Sequence, residues 1–117
     1  MDHVYWLTEV DIRDGQADGF EALMRDMVAA TRDTEPGTLT YEWSTNADRT
    51  ACHIFERYED SAAAMAHLRN FRPFAGRWVA TFVPRRLTIY GSPSPEVVEA
   101  LAAVRPEVLT TVDGFTR

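Results

Sequence analysis

The segment from Glu35 to Phe74 constrains the fold more than any other part of this chain. Apolar or aromatic side chains alternate with polar ones over Thr38–Thr45 and again over Thr50–Tyr58, the period of two that is typical of strands. Residues 46–49 lie between these two runs and include Asn and Asp, which tolerate turn geometry. A helix is predicted to begin at Asp60 or Ser61. The segment therefore predicts a β-hairpin followed directly by a helix.

The flanking segments complete a predicted α+β domain. Their apolar residues recur either at strand spacing or at helical spacing, and Ser94-Pro95-Glu96 is typical of a helix start. The predicted order is strand, helix, strand, strand, helix, strand, which is the ferredoxin-like split βαβ arrangement with an antiparallel sheet, followed by a C-terminal helix and short strand. The flanking elements are predicted at His3–Arg13 (strand), Ala17–Thr34 (helix), 74–82 (helix), 85–90 (strand), from Ser94 (helix) and 107–112 (strand).

The length of 117 residues predicts one domain, 1–117, with a single hydrophobic core. The core of this domain is expected at about residues 3–91. Residues 92–117 form a C-terminal extension to which the sequence assigns no function.

Charge and cysteine content exclude several classes of protein. The net charge of −6 argues against nucleic acid or an anionic membrane as a partner, because both require a basic surface. The single cysteine, Cys52, allows no intrachain disulfide and no CxxC motif, and we expect it to pack as a small apolar residue. The N-terminus has no signal-peptide pattern, and no apolar run is long enough to span a membrane. Cytoplasmic residence is the expectation.

The strands carry apolar side chains on both faces. In the first strand Trp6 and Val10 lie on one face, whereas Tyr5 and Leu7 lie on the other. A small sheet covered by helices on one side should have a polar second face, so this pattern indicates a second sheet, and another copy of the chain is the simplest source. The alternative is ordinary exposed apolar surface.

Common catalytic motifs are missing from the sequence. The six glycines are scattered singly, without the glycine-rich turn of a nicotinamide or flavin site. The three histidines lack the spacing of a metal site, and no G-x-S-x-G elbow occurs. We therefore predict neither a metal site nor a bound cofactor.

Two features remain as candidates for chemistry. His67 shares or borders the inward face of its helix, and its ordinary pKa of about 6.5 suits proton transfer, although a structural histidine is the alternative. Phe71, Phe74, Trp78 and Phe82 recur at helical spacing and form either ordinary core or the walls of an aromatic pocket. Glu56 is expected to be solvated or to cap a helix.

The hairpin and helix resemble the antibiotic biosynthesis monooxygenase superfamily over about residues 3–91. A glycine before an apolar strand, an aromatic–Glu–x–aromatic strand end, an acidic helix cap and a helical histidine carry the resemblance. The matching residues are Gly37, Leu39, Tyr41, Phe55, Glu56, Tyr58, Asp60 and His67. The resemblance implies a dimeric α+β barrel. Members of the superfamily include cofactor-free oxygenases of quinols or polyketide anthrones, and haem-degrading enzymes.

The expected function is a cofactor-independent monooxygenase that oxidises a quinol-like or anthrone-type aromatic substrate with molecular oxygen. Such a substrate, once deprotonated, can itself reduce oxygen, so the protein needs only a dry pocket, a base and stabilisation of the anion. His67 is the candidate base, and Arg77 or Arg57 is expected to face the anion. The candidate pocket walls are Tyr41, Trp43, Phe71, Phe74 and Trp78.

Two other functions stay open at this stage. A haem-degrading enzyme is expected to use converging Asn, Trp and His side chains, and the His67 helix contains no Trp. A noncatalytic dimeric module that binds a small apolar ligand or regulates another enzyme is the alternative from a different class.

Overall fold

The computed structural model describes residues 2–117, which form five strands and four helices. Two short 3₁₀ turns, Arg72–Phe74 and Ala102–Val104, join neighbouring elements, and the second is called the C-terminal turn below. The elements are β1 (Val4–Ile12), α1 (Ala17–Thr34), β2 (Thr38–Thr45), β3 (Ala51–Tyr58), α2 (Ser61–Phe71), α3 (Ala75–Thr81), β4 (Phe82–Gly91), α4 (Pro95–Ala100) and β5 (Glu107–Thr110).

The predicted split βαβ arrangement is confirmed. The strands form one sheet in the order β2-β3-β1-β4-β5, in which β1 pairs antiparallel with both β3 and β4, and β2 pairs antiparallel with β3. The C-terminal strand β5 pairs parallel with β4, so the complete sheet is mixed. β5 runs parallel to β4 because α4 and the C-terminal turn carry the chain back along the sheet before β5 begins.

The helices cover one face of the sheet, called the inner face here. Alternate residues of the central strands point into this layer, as the period of two requires. Two clusters of buried side chains result. One surrounds Val4, Trp6, Tyr58 and Ile89, and the other surrounds Val10, Phe20, Ile54 and Phe82. Cys52 packs in the second cluster, and burial raises the pKa of its thiol to about 11.

The region around Phe82 differs from the prediction. The helix α3 ends at Thr81, and Phe82 is the fully buried first residue of β4 rather than the last member of a helical stripe. Pro84 lies inside β4, opposite Val10, at the point where the register between β1 and β4 shifts. A strand accepts proline at such an irregularity because the ladder is already interrupted there.

The opposite, outer face of the sheet carries the second set of apolar side chains. Tyr5, Leu7 and Phe55 are each partly buried on this face. The end of the chain crosses it, because Arg57 donates hydrogen bonds to the Thr116 hydroxyl and to the Arg117 carbonyl at 3.2 and 3.3 Å. Within residues 2–117, the helices are too short or too polar to cross a membrane.

Candidate functional site

A cavity of about 420 Å³ lies between the inner face of the sheet and the helices α2 and α3. Its volume falls in the range of small-molecule sites, and its walls are mostly apolar with a few polar groups, as such sites usually are. The strands contribute Trp6, Thr8, Tyr41, Glu56 and Leu87, the helices contribute His67, Phe71 and Trp78, and the C-terminal extension contributes Leu101, Ala103 and Val104.

Glu56 reaches the cavity because of strand alternation. On β3 the residues Cys52, Ile54, Glu56 and Tyr58 all point inward, so the carboxylate shares a face with three buried side chains. The register places Glu56 between Trp6 of β1 and Tyr41 of β2. It is 5% exposed, which corrects the expectation of a solvated or helix-capping carboxylate.

The position of His67 follows from how α2 begins and packs. Asp60 caps the helix by accepting a hydrogen bond from the Ala63 amide at 2.8 Å. Ala64 and His67, three residues apart, then face the sheet and are both buried. Gly37 lets the helix approach closely, since a Cβ there would lie 2.6 Å from that of Ala63.

A second carboxylate, that of Glu35, binds the other side of the imidazole. Glu35 follows α1 directly, and its Oε1 lies 2.8 Å from Nδ1 of His67. The same Oε1 accepts a hydrogen bond from the Thr38 hydroxyl, and Oε2 accepts one from the Asn70 amide. Glu35 is only 5% exposed, and these partners supply the hydrogen bonds that a buried carboxylate requires.

His67 is thus held between two buried carboxylates. Its Nε2 lies 3.1 Å from Oε1 of Glu56, on the side opposite Glu35. Burial lowers the pKa of His67, but the hydrogen bonds and the charges of Glu35 and Glu56 outweigh burial and raise the pKa to about 9. For Glu35, burial raises the pKa, but the hydrogen bond and charge of His67, with the hydrogen bonds from Asn70 and Thr38, outweigh burial and lower the pKa. The imidazole is therefore protonated at neutral pH.

Hydroxyl groups complete the surroundings of Glu56. The Tyr58 hydroxyl donates to Oε1 at 2.6 Å, and the Thr8 hydroxyl donates to Oε2 at 3.2 Å. Burial, followed by the charge of Glu56, raises the pKa of Tyr58 well above its ordinary value and raises that of Tyr41 also. Both phenols therefore stay neutral, and the Tyr41 ring lies edge-on to the imidazole with 5.1 Å between ring centroids.

Of the aromatic and histidine residues that the sequence predicted at the site, some line the cavity and others lie outside its wall. His67, Tyr41, Phe71 and Trp78 line the cavity. Trp43 lies behind this wall, against Trp78 at 6.0 Å between ring centroids, and Phe74 packs in the second buried cluster without lining the cavity.

The two arginines expected to face an anion lie away from the cavity. Arg77 forms a surface ion pair with Asp26 at 2.8 Å. Arg57 lies on the outer face of the sheet, where its guanidinium is 5.0 Å from the centre of the Tyr5 ring. The cationic side chains that do line the cavity are the buried His67 and the exposed Arg85 and Arg86 of β4, which form ion pairs with Asp11 and Glu107.

Two carboxylates at this site were not among the site residues expected from the sequence. Glu56 had a visible signal, because an acidic residue alternated in register with Cys52, Ile54 and Tyr58 on one face. Glu35 had none, since it stands between the end of a helix and Pro36, where charged residues are ordinary. Within residues 2–117 no three His, Cys, Asp or Glu side chains are grouped so as to hold a metal ion.

Solved structures share this fold along much or all of the chain. MupZ from Pseudomonas fluorescens has a TM-score of 0.86 and 22% identity, with 100% of this chain and 96% of MupZ covered. SnoaB, a cofactor-independent oxygenase from Streptomyces nogalater, has a TM-score of 0.66 and 16% identity, with 80% and 96% covered. PA3566 from Pseudomonas aeruginosa has a TM-score of 0.62 and 23% identity, with 76% and 90% covered.

Comparison with curated protein sequences gives no match. The sequence model of one family, described as antibiotic biosynthesis monooxygenase, matches residues 4–72. This range contains the hairpin, α2 and all three members of the Glu35–His67–Glu56 group. The chain belongs to the antibiotic biosynthesis monooxygenase family.

Proposed function

We propose that this protein is a cofactor-independent monooxygenase that oxidises a quinol-like or anthrone-type aromatic substrate with molecular oxygen. The observation that carries the proposal is the buried pair of Glu56 and His67 at the wall of a mostly apolar cavity. A base and a fixed positive charge are what such a substrate needs in order to become a stabilised anion. Family membership and the likeness in fold to SnoaB support the same reaction type.

Within this proposal Glu56 takes the proton from the substrate. The base first expected was His67, but with a pKa of about 9 it already carries a proton at neutral pH, and each ring nitrogen faces a carboxylate. The Oε2 atom of Glu56 has only the long hydrogen bond from Thr8 and is the better acceptor. The imidazolium of His67 then stabilises the negative charge that develops on the substrate.

The oxygen step uses electrons from the substrate. With an anthrone-type substrate, the carbanion transfers an electron to O₂, and recombination gives a peroxide anion at the same carbon. The proton that Glu56 took from the substrate returns to this anion and makes it a hydroperoxide. Loss of water from this hydroperoxide leaves a carbonyl, so a CH₂ group and O₂ become C=O and H₂O. The aromatic rings of Phe71 and Trp78 provide the apolar surroundings that shield these intermediates from water.

A second candidate function uses the same residues without oxygen. His67 is a proton donor at neutral pH, and Glu56 beside it is a proton acceptor. An acid and a base 3.1 Å apart form a complete pair for isomerisation or ring closure by proton transfer. This arrangement is the observation that favours the second candidate.

Oxygen uptake with anthrone and a panel of reduced quinols tests the proposal. We expect uptake above the rate of autoxidation, with one O₂ consumed for each substrate oxidised. Conversion that proceeds equally well under argon would instead support the acid–base candidate. Binding of the panel without any conversion in air or argon would favour the noncatalytic module.

We also propose that the protein is a homodimer whose two outer sheet faces meet. The partly buried side chains of Tyr5, Leu7 and Phe55 on this face support the proposal, as does family membership. Light scattering at micromolar concentration is expected to give twice the chain mass of 13.3 kDa. A mass near 13.3 kDa would contradict the dimer, and the tail that crosses this face would then be its main cover.

A further inference from the structure

The C-terminal extension supplies part of the cavity wall. Leu101, Ala103 and Val104, at and within the C-terminal turn, line the same cavity as Glu56 and His67. Glu56 and His67 are each 5% exposed, whereas Val104 is 52% exposed. The cavity therefore runs from a buried charged end, at Glu56 and His67, to an exposed mouth that is lined by the C-terminal turn together with Arg85 and Arg86 of β4.

This wall is fixed on the side of α4. Ser94 caps the helix by accepting a hydrogen bond from the Val97 amide, and its own amide donates to the Ser61 hydroxyl at 2.9 Å. Val97 is fully buried in the cluster that contains Trp6 and Tyr58. These contacts join the start of α4 to α2 and to the core.

The wall is also fixed on the side of β5. Val108 pairs with Ile89 of β4 in the parallel ladder. Arg86 forms an ion pair with Glu107 at 2.8 Å, directly beyond the C-terminal turn. The C-terminal turn is therefore held by α4 on one side and by β5 on the other. This fixes the position of its apolar side chains relative to Glu56 and His67.

The extension is an addition to the part of the fold that defines the family. The family match ends at residue 72, and the likeness to SnoaB covers 80% of this chain, whereas the likeness to MupZ covers all of it. The mouth of the cavity is therefore formed by residues outside the family motif, while the charged end is formed by residues inside it.

We propose that the C-terminal turn determines which substrates the cavity admits, with Ala103 and Val104 as the specificity-determining residues. The inference rests on the proposed function only in taking the cavity as the substrate site. The substrate class is an apolar ring system long enough to reach from Glu56 to the mouth, where it covers Val104. Contact with this exposed apolar side chain would contribute binding free energy as its surface is removed from water.

Calorimetric titration with two aromatic probes of different length tests this proposal. Anthrone has three fused rings and 2-naphthol has two. We expect Ala103→Phe and Val104→Phe to weaken the binding of anthrone at least tenfold and that of 2-naphthol less than threefold, because only the longer probe extends to the mouth. Val112→Phe is the matched control, since Val112 is 98% exposed and does not line the cavity.

Three results would overturn the proposal. Equal losses of affinity for both probes would indicate a general distortion of the cavity. Unchanged affinities would indicate that the C-terminal turn does not contact the ligand, and failure of the unaltered protein to bind either probe would exclude this substrate class. Thermal unfolding of each variant identifies a folding defect. Val104→Ala carries little risk to the core and is expected to weaken the binding of anthrone a few-fold, because part of the apolar contact is lost, and to leave that of 2-naphthol unchanged. The titrations are run under argon, so that anthrone binds without being oxidised, and failure of the oxygenase proposal would leave these results unchanged.

Discussion

Glu56→Gln is expected to lower kcat for oxidation of the substrate by about 100-fold to 10,000-fold, the usual contribution of a positioned general base. The amide keeps the shape of the side chain: its oxygen can still accept from the Tyr58 hydroxyl, and its NH₂ group can donate to the Thr8 hydroxyl, which now donates to Glu56. It cannot take a proton from the substrate. Initial rates of oxygen uptake at saturating substrate measure the effect.

Glu99→Gln is the matched control for this substitution. Glu99 is exposed on α4 and does not line the cavity, and the same chemical change there is expected to leave kcat within about twofold, because surface substitutions seldom disturb a distant site. A Glu56→Gln variant with a wild-type rate would remove Glu56 from the mechanism. Such a result would return the role of base to another group that contacts the substrate.

His67→Ala is expected to lower the free energy of unfolding at pH 7 by about 3–5 kcal/mol, the usual cost of leaving a buried charge without its partner. The substitution leaves the carboxylates of Glu35 and Glu56 buried without the cation that lies 2.8 and 3.1 Å from them. The alanine side chain also leaves space next to the cavity, which adds a packing loss. Urea denaturation at fixed pH measures the change.

The pH dependence of unfolding separates the charge effect from the packing loss. The folded-state pKa of His67, raised to about 9, means that its contribution to stability, about 3 kcal/mol, is complete below about pH 6.5 and is lost as the pH rises through 9. The lowered pKa of Glu35 acts in the opposite sense, so its contribution is present above its ordinary value near 4.5 and is lost as the pH falls. The protein is expected to be most stable between about pH 5 and 6.5.

The difference between wild type and His67→Ala should therefore shrink as the pH rises from 6.5 to above 9. A difference that is constant over this range would show that His67 contributes by packing alone. His53→Ala is the control, because His53 is half-exposed on the outer face and lies 3.6 Å from Glu9. Loss of this surface pair is expected to change stability by less than about 1 kcal/mol.

Local patterns were sufficient to predict most of the elements. The periodicity of α1 gave its bounds, Ala17–Thr34, and the alternation in the hairpin gave β2 as Thr38–Thr45 and β3 to within one residue. The strand β4 was predicted too short, because Pro84 indicates a break in sequence and only the pairing with β1 shows that the irregularity there accommodates it. The direction of β5 depended on the path of the extension, which no local pattern encodes.

The candidate site was less predictable than the fold. His67 was singled out because it shares or borders the inward face of its helix and its ordinary pKa suits proton transfer. Its charge depends on Glu35, which is 32 residues away in sequence and adjacent only after folding. Arg77 or Arg57 was expected to face the anion, yet the Arg77 side chain on α3 pairs with Asp26 of α1. Contacts between distant elements decide which charges face the cavity.

Burial keeps the Cys52 thiol away from the oxidants of the proposed oxygenase reaction. Peroxide reacts with the thiolate, and a thiol with a pKa of about 11 and no solvent-exposed surface presents almost none of that form at neutral pH. Sulfenic acid, mixed disulfides and covalent dimers through this sulfur are therefore disfavoured. The chain keeps its one cysteine, and hydrogen peroxide released by an uncoupled turnover meets no reactive sulfur at position 52.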